Sequence, residues 1–157
     1  MSKLIVDRVE CIASTDHTGD DLYFLVLRMD AGCDVRRVGP NAAWHDMEAG
    51  DVRHTDVVLV DDNFAGTHIV AVIDEDDSFD FDAGLRGELS SGMRLVFNMF
   101  SPLQDHGRLT GTMMTAFANI IGKKRTNDDL LAVQTLGAGV MQVVGQGARY
   151  KINIKAA

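Results

Sequence analysis

The sequence predicts a mainly β fold, an antiparallel β-sandwich with one inserted α-helix. Three observations lead there. Short segments rich in β-branched and aromatic residues recur along the 157-residue chain with turn signals between them. A single stretch, Leu109 to Ile121, carries its apolar residues at helical spacing instead. No apolar run approaches the roughly 20 residues needed to span a bilayer.

The elements follow in order. Leu4 to Ala13 reads as a strand with mixed alternation. Leu22 to Met29 (LYFLVLRM) is apolar on both faces and is expected to lie centrally, between two covering layers. The stretch from Gly32 to Gly50 reads as loop, turns at Gly39-Pro40-Asn41 and holds the only tryptophan, Trp44. There Trp44 either enters an interface or plugs the end of the sandwich. Val57 to Val60 and Ile69 to Ile73 are short β-branched strands. Met93 to Phe100 sets Met93, Leu95, Phe97 and Met99 against Arg94, Val96 and Asn98, a period of two that reads as strand.

From Leu109 to Ile121, residues Leu109, Met113, Met114, Phe117, Ile120 and Ile121 share one helical face, with Gly122 as a C-cap and Lys123, Lys124 and Arg125 suiting the helix dipole. This helix either packs on the sandwich or meets a partner or membrane. The glycines of Gly137-Ala138-Gly139 and Gly145-Gln146-Gly147 complete no phosphate-binding loop and read as turns. Tyr150 to Lys155 alternates cleanly, with Lys151, Asn153 and Lys155 toward water. The whole chain, 1–157, is expected to form a single domain, since 46% hydrophobic content suffices for one core.

The formal net charge of −8 argues against nucleic acid, whose binding depends on neutralising phosphates. Cys11 and Cys33 form no C-x-x-C motif and read as free thiols. Charged residues follow Met1 at once, so the expected location is cytoplasmic, or outside the cell by a route without a cleavable signal. The five histidines show no zinc spacing, although His17 sits in an acidic loop. There is no G-x-S-x-G elbow and no singled-out pair of acid and base, so a binding module is expected rather than an enzyme.

The strongest chemical signal is acidic. From Asp74 to Asp82, six of nine residues are carboxylates, at the end of an apolar strand. Asp74 and Asp76, two apart, share a side. A second acidic loop, Asp16-His17-Thr18-Gly19-Asp20-Asp21, precedes the strand starting at Leu22. Two such loops at one edge suit Ca²⁺, a hard cation that takes several oxygens in irregular geometry. The glycine and closing-glutamate positions of an EF-hand are absent around Asp80, Asp82 and Gly84.

These two loops also carry a family resemblance. Thr18-Gly19-Asp20-Asp21-Leu22-Tyr23 resembles the Gly-x-x-Asp-Pro-Tyr segment of C2 domains, with Leu22 in place of proline. Val72-Ile73-Asp74-Glu75-Asp76 through Asp82 resembles the second aspartate-bearing loop of that family. The resemblance implies an eight-stranded sandwich that binds Ca²⁺ through Asp16, Asp21, Asp74, Asp76 and Asp82, for contact with an anionic lipid headgroup or a partner protein. Gly84 falls one residue early for the family, and 101–124 would be a helical insertion. Asn127-Asp128-Asp129-Leu130-Leu131 is an alternative match to the family's terminal Asp-Asp segment. The competing reading is a metal-free structural or interaction protein that uses the 109–121 helix, as in a secreted assembly or a toxin–immunity system.

Overall fold

The structure, a computed structural model, describes residues 2–15, 19–75, 82–124 and 128–157. Among them are eight strands in two four-stranded antiparallel sheets, with two α-helices. The strands are β1 (Ser2–Ala13), β2 (Leu22–Arg28), β3 (Val35–Val38), β4 (Val52–Asp62), β5 (His68–Asp74), β6 (Asp129–Thr135), β7 (Gly139–Gly145) and β8 (Ala148–Ala156). The helices are α1 (Ala83–Phe100) and α2 (His106–Lys123), and a 3-10 turn covers Ala42–Trp44. One sheet runs β4-β1-β8-β7 and the other β3-β2-β5-β6.

The second sheet is buried on both faces, as the unbroken apolar run of β2 requires. Leu22, Phe24 and Val26 of β2 join Val70 and Val72 of β5 in one core, shared with Val6, Val9, Tyr150, Ile152 and Ile154 of the first sheet. This core gives the two sheets a sandwich-like arrangement. The alternate residues, Tyr23, Leu25, Leu27, Ile69, Ala71 and Ile73, pack on the other face against Leu89, Met93, Leu109, Met113 and Phe117 of the helices. The order is therefore sheet, sheet, helical layer.

The expected strand at Met93 to Phe100 is instead the C-terminal half of α1. Within eight residues, a period of two and a period of 3.6 both fit this sequence. Over the full element, Leu85, Leu89, Met93 and Phe97 recur every four residues. A strand would set Leu95 and Met99 on that same face, whereas the helix buries Leu89 and Met93 and leaves Leu95 and Met99 exposed. The fold thus holds two helices between β5 and β6 rather than one, and the helical segment begins at Ala83, not near 101. Three strands carry no clear sequence signal. Val35–Val38 sits inside a stretch that reads as loop, and β6 and β7 lie behind acidic and glycine-rich residues. Gln146 and Gly147 form a two-residue hairpin turn between β7 and β8, with φ of 52° and 80° as such turns require.

Helix α2 packs on the second sheet, the first of the two roles its sequence suggests. Leu109, Met113, Phe117 and Ile121 are all buried against the second sheet. Gly122 lies inside this helix, which ends with Lys124 as C-cap. Each buried side chain of this kind stabilises by about 1.5–3 kcal/mol. No helix among the described residues is long and apolar enough to cross a membrane. Cys11 and Cys33 are buried free thiols.

Replacing Phe117, which is fully buried, with alanine is expected to lower stability by about 3–5 kcal/mol in urea denaturation. Leu95→Ala, on the exposed side of α1, should change it by less than about 0.5 kcal/mol.

Candidate functional site

The register of β2 against β5 pairs Leu22 with Asp74, and β5 against β6 pairs Asp74 with Asp129. Three acidic segments therefore reach one end of the second sheet: the one before β2, the one after β5 and the one before β6. The first two are the pair of loops singled out in the sequence. The third adds Asp128 and Asp129.

Asp74 is buried, at 1% exposure. Its Oδ1 accepts from the backbone N–H of Asp21 at 2.9 Å, and its Oδ2 from the Thr15 hydroxyl at 2.9 Å. Asp21 is partly exposed, and its Oδ1 takes the Asp46 N–H at 2.6 Å and lies 2.8 Å from His45 Nδ1. Asp21 and Asp74 are thus brought together, joined through one backbone amide. Asp82 has a different local role, accepting the Leu85 N–H at 2.9 Å as the N-cap of α1. Asp16 and Asp76 lie outside the described residues, as does His17.

Sequence reading missed the most buried acid among the described residues of this end. Asp20 is fully buried. It accepts from the Thr15 N–H at 3.0 and 3.1 Å and from the Tyr150 hydroxyl, and it shares the single proton of the Thr15 hydroxyl with Asp74. A buried carboxylate survives only with such donors around it. Tyr150 comes from β8, on the other sheet, so this hydrogen bond ties the two sheets together. Its sequence signal is faint: a tyrosine opening an alternating strand gives no hint that its hydroxyl faces an acid 130 residues away. Tyr23 makes a similar bond, its hydroxyl donating to Asp128 Oδ2 at 2.6 Å.

The 39–50 segment closes over this end. Asp20 and Met47 exchange two backbone hydrogen bonds, of 2.8 and 2.7 Å. Trp44 is fully buried and meets Phe24 edge-on, with ring centroids 5.0 Å apart. Of its two readings, plugging the sandwich is the one observed. Gly19, at φ 87°, passes so close to Asp46 that a Cβ would stand 3.0 Å from the Asp46 carbonyl carbon. Only glycine serves there.

Burial governs the protonation of the neighbouring groups. It pushes the Tyr150 hydroxyl well above its ordinary range, and the hydrogen bond to Asp20 adds to this. Burial likewise raises the Cys11 thiol, and takes Cys33 to about 11. All three stay neutral at physiological pH, so Tyr150 remains a hydrogen-bond donor and neither thiol is a ready nucleophile.

Among the described residues, no group of three or more His, Cys, Asp or Glu side chains is placed to hold a metal ion. Asp21 and Asp74 are two oxygen donors of the kind a hard cation takes. Asp21 Oδ2 has no hydrogen-bond donor among the described residues. The chain matches no family model and no curated protein.

Tyr150→Phe removes one donor from a buried carboxylate and should cost about 1–3 kcal/mol in chemical denaturation at pH 7. The same groups set an alkaline limit. A raised folded pKa gives stability that is complete below the unfolded value, 9.0 for the thiols and 10.0 for tyrosine, and is lost as pH rises beyond it. The melting temperature should fall steadily as pH rises from 9 toward 11. Cys33→Ser should remove part of that fall, and a flat profile would contradict the assignment.

Proposed function

We propose that the protein is a calcium-binding, C2-like β-sandwich module. One observation carries this reading. Asp21 and Asp74, from two separate acidic loops, meet at one end of a sheet with Asp74 fixed by the Asp21 amide. The sequence resemblance, given above on Thr18–Tyr23 and Val72–Asp82, supports it.

In this reading Asp21 and Asp74 are the preorganised ligands. Asp74 is oriented by the Asp21 amide and the Thr15 hydroxyl, and Asp21 by the Asp46 amide. Asp16, Asp76 and Asp82 complete the set, as the resemblance implies. A bound cation supplies charge neutralisation. Without it, the aspartates of three segments repel both one another and any anionic surface. With it, the acidic end can approach an anionic lipid headgroup or an acidic partner protein.

Titration calorimetry of EDTA-stripped protein should give saturable Ca²⁺ heat without comparable Mg²⁺ heat, since Mg²⁺ demands stricter octahedral geometry. Asp21→Asn and Asp76→Asn should each weaken the affinity at least about tenfold with the fold retained, a loss of about 1.4 kcal/mol. Asp74→Asn is less diagnostic, because Asp74 also holds the loop. An absence of heat at millimolar Ca²⁺, with an unchanged melting temperature, would refute the reading.

A further inference from the structure

We draw no further inference here: the strongest candidate, the buried cluster at the end of the second sheet in which Asp20 and Asp74 share the Thr15 hydroxyl and Tyr150 donates to Asp20, belongs to the site already described.

Discussion

The whole structure depends on burial of the second sheet on both faces. β2 and β5 have no water-facing side: alternate residues serve the inter-sheet core and the helical core. That constraint fixes the register, because a slip by one residue would exchange the two sets and mismatch both layers. It also accounts for the helices. Tyr23, Leu25, Leu27, Ile69 and Ile73 would face solvent without α1 and α2 above them.

The chemistry at the sheet end is a consequence of the same register. Because Leu22 pairs with Asp74 and Asp74 with Asp129, the described acids Asp20 and Asp21 before β2, Asp74 and Glu75 at the end of β5, and Asp128 and Asp129 at the start of β6 must converge. Their mutual repulsion is moderated by hydroxyl and amide donors from Thr15, Tyr150, Tyr23 and Asp21. Stability and charge are therefore coupled at this end. Asp20 is held for architecture, linking the sheets through Tyr150, whereas Asp21 keeps contact with solvent. Neighbours in sequence, they differ in task because an extended chain turns successive side chains to opposite sides.

Much of this is legible in the sequence. β1, β2, β5 and β8 announce themselves through apolar alternation or continuous apolar runs, and α2 through its spacing. The central place of β2 follows from its having no polar face. Met93 to Phe100 misleads because eight residues are too few to separate a period of two from one of 3.6. β6 is obscured by the acids that open it, and β7 by its glycines. At the site, Asp21 and Asp74 can be read from their place at strand ends. Thr15 and Tyr150 cannot, since a hydroxyl signals nothing until the fold brings it to a carboxylate.

Trp44 gives the molecule a built-in optical reporter. It is the only tryptophan in the chain, and it is sealed against Phe24 beneath the segment that bonds to Asp20. Its indole fluorescence therefore comes from a single site, one shielded from water. Any event that loosens the segment over the acidic end must shift that emission to the red, whereas events on the helical layer leave it unchanged. The two ends of the protein can thus be told apart by light alone, without a label.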